Sequence, residues 1–183
     1  YNRVLIQRNN LLKSITKSPS LKTMAEVYGE QLAEYGSFIS YVRFDFIKKL
    51  SLISKFIHRK ITEGREELEI NYKCSAGNFI QIEELKKSLM TYYTNNIDDD
   101  VIRGYTQKGP HRDDVEIKIN DIDVRIFGSQ GQQRTAALSL KLSEIDIIKS
   151  EVGEYPILLL DDVMSELDLK RQKFLLETLK KVQ

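Results

Sequence analysis

Residues 127–148 read FGSQGQQRTAALSLKLSEIDII, and residues 155–168 read YPILLLDDVMSELD. The first is a short glycine turn that opens an amphipathic helix. The second is an apolar strand that ends in two adjacent carboxylates, Asp161 and Asp162. Ser129, Gln130 and Gly131 fall where backbone N–H groups of a turn and a helix N-terminus can meet phosphate oxygens. Gly131 permits close approach because it has no Cβ. Ser129 can donate through its hydroxyl, Gln132 and Gln133 offer amides, and Arg134 offers a fixed charge. Asp161 projects from the C-terminal edge of a sheet, where α/β folds place their ligands, and its hard oxygens suit Mg²⁺. Asp162 points elsewhere and could polarise an attacking water. Asp168 closes a short loop, Ser165 to Asp168, suited to communication between sites across an interface. Each residue also has a plainer reading: Ser129 a bare helix cap, the paired aspartates a strand end, Asp168 an N-cap of the last helix. The combination at this spacing points instead to one half of a nucleotide-hydrolysing site. The other half is missing, since no G-x-x-x-x-G-K-[ST] phosphate loop occurs in the 183 residues.

Outward from this segment the pattern changes twice. Upstream, Val115, Ile117 and Ile119 alternate with polar residues, Asn120 and Asp121 supply a turn, and Ile122, Val124 and Ile126 alternate again, which predicts a hairpin with one apolar face. Ser129 predicts the N-cap of a helix to about Lys149, with Ala137, Leu138, Leu140, Leu142, Ile145 and Ile148 available for burial. Ile157 to Leu160 are apolar at every position, as a central parallel strand would be. A last helix is expected over 169–182.

The first hundred residues are mainly helical by their periodicity. A helix is expected over 1–14, broken by Ser18 and Pro19. A second pattern over 21–57 is long enough for a bundle or an arm, with Gly36 a candidate bend and a helical hairpin the compact solution. Leu68 and Ile70 predict a short strand up to Cys74. Ile82, Leu85, Leu89 and Tyr92 predict a further helix, closed by the polar run 95–100. The expected division is a helical arm at 1–104 and an α/β part at 105–183.

Composition excludes several classes. Apolar residues at 41% and charged residues at 30% describe a folded globular chain, and no apolar run approaches the roughly 18–20 residues that span a bilayer. One cysteine, Cys74, excludes an intrachain disulfide and any multi-cysteine metal site. The net charge of +1 gives no global case for nucleic-acid binding. Residues 1–60 are nevertheless rich in Arg and Lys, among them Arg3, Arg8, Lys13, Arg43, Lys48 and Arg59. That half could face a polyanion or simply be the solvated side of helices. The start at Tyr1 fits an excised piece better than a natural N-terminus.

Over essentially its whole length the chain resembles the bacterial RecF recombination mediators, ABC-type ATPases related to SMC heads. YNRVLIQRNNLLK at 1–13, EQLAEYG at 30–36 and ELEINYKC at 67–74 resemble that family's helical domain. GPHRDD at 109–114, GSQGQQR at 128–134 and LLLDDVMSELD at 158–168 resemble its ATPase part, and the first two of these are specific to it. The resemblance implies an α/β fold: a partial ABC-type ATPase lobe with a mainly helical arm. It implies that Ser129, Gln130, Gly131 and Gln132 form the signature motif facing the γ-phosphate held by an opposite protomer. Asp161 would be the Walker B magnesium carboxylate, Asp162 would stand where most ABC ATPases have a catalytic glutamate, and Ser165 to Asp168 would be the D-loop. His111, Arg112 and Asp113 match a family hallmark, either sensing the neighbouring site or forming a structural ion network.

The same resemblance implies ATP and Mg²⁺ as cofactors and an ATP-dependent homodimer on double-stranded and gapped DNA. It implies cooperation with RecR and RecO in placing RecA during DNA repair, replication restart and the SOS response, in the bacterial cytoplasm at the nucleoid. The phosphate loop and Q-loop are absent from these residues, so the segment alone should bind ATP weakly and not hydrolyse it. Rival readings are another SMC-like repair head, which would need a much longer coiled coil, and a non-catalytic module that binds RecR or DNA.

Overall fold

The computed structural model describes residues 1–159 and 168–180. Helix α1 (Asn2–Ile15) is followed by α2 (Leu21–Ile61), strand β1 (Leu68–Lys73), α3 (Ile82–Asn95), α4 (Ile97–Arg103), β2 (Asp114–Ile119), β3 (Ile122–Asp123), α5 (Val124–Phe127), α6 (Gln130–Val152) and α7 (Leu169–Leu179). The strands form one sheet in the order β1-β2-β3, with β2 and β3 antiparallel. The chain divides into two compact units, Tyr1–Asp45 with Tyr72–Val115, and Phe46–Asn71 with Glu116–Gln183.

The first unit is held by two apolar clusters. Leu32 and Ala33 of α2 meet Leu85, Leu89 and Tyr93 of α3, with Val4 and Leu5 of α1 against them. Leu12 and Ile15 of α1 meet Ala25 of α2 and Ile97 of α4. Gly36 marks no bend, because α2 runs unbroken through it. Its role is close packing: a Cβ there would sit 3.2 Å from Pro110 and 3.3 Å from the Tyr1 ring. The hydrogen-bond ladder of α2 tolerates glycine when neighbouring helices supply the stability that propensity withholds.

The polar run after α3 does more than close a helix. Residues 97–103 form α4, whose first turn carries Asp98, Asp99 and Asp100 where the helix dipole favours negative charge. Gly104 ends it in the left-handed region at φ 73°. Asp100 is buried, and it receives the buried guanidinium of Arg8 at 2.7 Å. Arg8 therefore leaves the basic surface that the sequence assigns to residues 1–60. Burial of an ion pair requires further partners, and Arg8 also donates to the Ala25 carbonyl and to Thr106 Oγ1.

In the second unit Ile57 of α2 packs with Leu138, Leu142 and Ile145 of α6 and Leu175 of α7. The buried side of α6 is mixed: Thr135, Ser139 and Ser143 are buried along with its leucines. Their hydroxyls donate to the carbonyls of Gly131, Thr135 and Ser139, four residues back, which satisfies their donors within the helix. This shifts the buried face, so Ala137 and Ile148 are exposed.

Two strand expectations fail here. The alternation after Asp121 sustains only the short β3, and Val124–Phe127 turn into the helical α5. Asn120 and Asp121 both have positive φ, 49° and 66°, as the tight hairpin turn requires. Asp123 then caps α5 by accepting from the Arg125 N–H, and only Val124 of that turn is buried. The apolar run 157–159 is in no strand, and Ile157 and Leu159 are 93% and 91% exposed. A buried central strand needs ladder partners on both sides, and the described sheet does not take this run in. Among the described residues no helix is long and apolar enough to cross a membrane.

Candidate functional site

The turn at the start of α6 is built by its own sequence. Gly128 accepts no side chain, since a Cβ would meet the Val124 carbonyl at 2.5 Å. Its N–H closes α5 on that same carbonyl. Ser129 then adopts extended backbone and caps α6. Ser129 Oγ accepts from the Gln132 N–H at 3.2 Å, and Gln132 Oε1 accepts from the Ser129 N–H at 3.0 Å. This is a reciprocal capping box with Gln at its third position.

The box leaves the serine hydroxyl proton free to donate outward. The first N–H groups of α6, at Gln130 and Gly131, have no intrahelical acceptor. Ser129 and Gln130 are exposed, as is Arg134. The result is a surface turn with the helix dipole behind it, an arrangement that has the chemistry to receive an anion. The exposed Ile126 and Phe127 precede it.

Asp168 caps α7 in the same manner, accepting from the Arg171 N–H at 2.9 Å and pairing with the Arg171 guanidinium. The hydrogen bond from the Arg171 N–H, helped by the Arg171 charge, holds the Asp168 carboxyl below the usual carboxylate range. The two helix starts meet. A Cβ on Gly131 would lie 3.8 Å from Arg171 Nη2 and 3.9 Å from Ser129 Oγ. Ser129, Gly131, Gln132 and Asp168 are thus brought together, with Arg171 as a cation between them. Asp161 and Asp162, and Ser165 to Leu167, lie outside the described residues. No cluster of metal-ligating side chains occurs among the described residues.

His111, Arg112 and Asp113 belong to the first unit and have partners of their own. His111 Nε2 faces the Thr106 carbonyl at 3.0 Å and Nδ1 faces the Tyr1 hydroxyl at 2.7 Å. A carbonyl cannot donate, so Nε2 carries the proton and Nδ1 accepts from Tyr1. Burial pushes the His111 pKa down and the Tyr1 pKa up, which keeps both neutral in this bond. Asp113 accepts from Ser40 Oγ at 2.6 Å, from the Ser75 N–H at 2.7 Å and from the Tyr72 hydroxyl. Gly109 enters this network at φ 126°, where a Cβ would collide with the Tyr1 hydroxyl. Arg112 is exposed and stacks on Tyr105, 4.8 Å from its ring centre. His111 and Asp113 thus join a hydrogen-bonded network within the first unit, and Arg112 lies at its surface.

Three residues near the α6 turn escape the sequence reading. Gln132 Nε2 donates to Glu66 Oε1 at 3.1 Å. The other Glu66 oxygen lies 3.3 Å from Nε2 of the buried His58, too poorly aligned for a hydrogen bond. His58 Nδ1 is 3.1 Å from Ser139 Oγ. Burial pushes the His58 pKa down, and the Glu66 carboxylate opposes that shift. Arg171 had a local signal, three residues after a capping aspartate. Glu66 and His58 had none, because their contacts join distant parts of the chain.

No family model matches the chain. The DNA replication and repair protein RecF of Alkaliphilus oremlandii is 50% identical over 185 residues, covering 100% of this chain and 50% of that protein. Its namesake in Halothermothrix orenii is 49% identical over 97% of this chain and 48% of that protein. That of Clostridium botulinum strain 657 is 46% identical over 100% and 49%. The chain thus spans about half the length of the curated relatives it matches. Two solved structures of the recombination mediator protein RecF in the RecFOR pathway, with ATP and with ATPrS, superpose with TM-scores of 0.89 and 0.90. Both are 43% identical, and both alignments cover 100% of this chain and 49% of the other.

Proposed function

This chain belongs to the RecF family and carries part of an ABC-type, SMC-head-like ATPase lobe with a mainly helical arm, and we propose that it supplies the signature half of an ATP sandwich. In the intact protein two protomers enclose two ATP molecules. Each holds ATP in its own phosphate loop and presents its Ser129 turn to the γ-phosphate of its partner. The observation that carries this reading is the exposed, capped turn at Ser129–Gln132 lying against the Asp168–Arg171 pair. A turn whose cap is already formed costs little further ordering when phosphate arrives.

Within that frame the roles follow from chemistry. The Ser129 hydroxyl and the N–H groups of Gln130 and Gly131 donate to phosphate oxygens. Arg134 adds charge at the same helix end, and Asp168 fixes Arg171 beside the turn. Asp161 would hold Mg²⁺, which neutralises phosphate charge. Asp162 orients the attacking water, and an aspartate in place of the longer glutamate suits slow turnover. Closure by ATP would clasp double-stranded or gapped DNA, and hydrolysis would release it. The helical arm would frame the DNA or dock RecR, and with RecO the complex would place RecA on single-stranded gaps in the bacterial cytoplasm. That the similar structures are of RecF with ATP or ATPrS, in the RecFOR pathway, supports the nucleotide and the pathway.

The test is ATP turnover by the intact protein with and without gapped DNA, beside its Asp162→Asn variant. DNA-stimulated turnover that Asp162→Asn abolishes is expected. Turnover unchanged by that substitution would remove the assignment.

A further inference from the structure

The loop after α2, residues 62–67, touches the starts of both helices that form the candidate site. Glu66 receives the Gln132 side chain of α6, and Glu63 pairs with Lys170 of α7 at 3.2 Å. The loop is rigidly built. Thr62 Oγ1 donates to the His58 carbonyl at 2.9 Å, and Gly64, at φ 77°, closes the helix on the Arg59 carbonyl at 2.8 Å. On its far side Glu67 exchanges hydrogen bonds with Asn120: its N–H meets Asn120 Oδ1 at 2.9 Å and its carbonyl meets the Asn120 N–H at 3.0 Å. The Glu66 backbone is therefore held from both directions, and its carboxylate is a fixed acceptor.

A fixed acceptor at that point has a specific consequence for Gln132. A side-chain amide can present its oxygen or its nitrogen to either neighbour, and the two orientations are almost equal in shape. Only one completes the capping box, with Oε1 toward the Ser129 N–H. Turned over, Gln132 would set its NH₂ against that N–H and its oxygen against a carboxylate. Glu66 admits only the productive orientation. We propose that Glu66 is a positioning residue for the phosphate-facing turn, acting through Gln132; this rests on the sandwich reading above. Its effect is to keep the Ser129 N–H and Oγ engaged in the cap, so that the serine hydroxyl proton and the next two N–H groups point at the partner's phosphate. Charge alone would predict the opposite role, since a carboxylate beside a phosphate site repels its ligand.

That opposition makes the proposal testable in the intact protein. Self-association is measured by sedimentation with a non-hydrolysable ATP analogue, and each protomer's own nucleotide affinity is measured separately with a fluorescent ATP analogue. Glu66→Ala is expected to weaken nucleotide-dependent dimerisation about tenfold, the equivalent of one charge-assisted hydrogen bond, with own-site affinity unchanged. Glu66→Gln, which offers an acceptor oxygen but can also turn over, is expected to restore dimerisation in part. Gln132→Ala should match Glu66→Ala, and the double variant should be no worse than either single, because both remove one interaction. If an alanine variant folds poorly, the near-isosteric Glu66→Gln keeps the proposal testable. Additive losses, wild-type dimerisation in Glu66→Ala, or tighter dimerisation in Glu66→Gln than in wild type would overturn the proposal. Ser129→Ala is the control for the underlying reading. If it dimerises normally, the sandwich itself is wrong; if it fails to dimerise while Glu66→Ala does not, only the role of Glu66 is lost.

Discussion

The two units treat polar residues in opposite ways. In the first, Arg8 is buried and His111 and Asp113 are half-buried, and all three are committed: Arg8 to Asp100, Thr106 and Ala25, His111 to Tyr1 and Thr106, Asp113 to Ser40, Tyr72 and Ser75. In the second, the polar turn at Ser129 lies at the surface, with its cap closed and its outward donors uncommitted within the helix. A buried polar group bonded to several segments of the chain holds a fold together, while an exposed one with donors in reserve is equipped for a ligand. The family-hallmark residues of the 109–114 segment fall largely in the first class, although their sequence looks as functional as that of the turn.

The comparison breaks most easily at Arg8. Its side chain is fully buried, stacked over the Tyr93 ring with 5.0 Å to the centroid. Arg8→Met leaves Asp100 charged and unpaired in the interior, which should cost about 3–5 kcal/mol in urea denaturation. Adding Asp100→Asn should recover a large part of that loss, because it removes the orphaned charge. A loss near zero in the single variant would mean that the network is ornamental. The neighbouring acid gives the contrast: Asp98 pairs with Lys22 at the surface, and exposed pairs contribute at most about 1 kcal/mol.

A smaller effect separates the units by pH. Each has one histidine whose pKa burial depresses, His111 in the first and His58 in the second. Above the ordinary histidine value of about 6.5 both states are neutral and these residues contribute no pH dependence. Below it the unfolded chain takes up protons that the folded chain refuses, so stability falls as pH drops through the region between about 6.5 and the depressed folded values. The groups facing His111 are Tyr1, Thr106, Arg112, Asp113 and Asp100, and only the last two favour its protonation by charge. His58 has Glu66 within 3.3 Å, which moderates its shift. His111→Gln should flatten the acid side of the stability profile, and an unchanged slope would show that His111 is solvated.

How far the sequence could be read follows the range of each interaction. Helix starts were legible because caps are local: Ser129 and Asp168 each bond to a residue three positions on. The long periodicity of α2 was legible too, but its continuity through Gly36 was not, since Pro110 and Tyr1 close on that glycine from remote segments. Helix α4 hid in a polar run because the partner of Asp100 lies 92 positions away. Alternation misled after Asp121, where a capping aspartate outweighed the strand pattern of Val124 and Ile126. At the site, the turn itself was readable and its bracket, Glu66, was not. Sequence reports what a residue can do with its neighbours in the chain, and tertiary partners decide which of those options is used.

The smallest expected change in stability is the most informative about function. Ser129→Ala deletes one acceptor for the Gln132 N–H at an exposed helix start, which should cost about 1 kcal/mol. That is well below the loss expected at Arg8, and the circular dichroism of α6 should hardly alter. If the turn were chiefly a structural cap, the cost in nucleotide-dependent assembly would be equally slight. If the hydroxyl instead carries a proton to a phosphate oxygen, assembly of the intact protein should collapse while its melting barely moves. Ser129→Gly sharpens the point, because glycine caps a helix nearly as well as serine and costs only a few tenths of a kcal/mol. A glycine variant that melts like wild type yet cannot assemble would separate the cap from the donor within a single side chain.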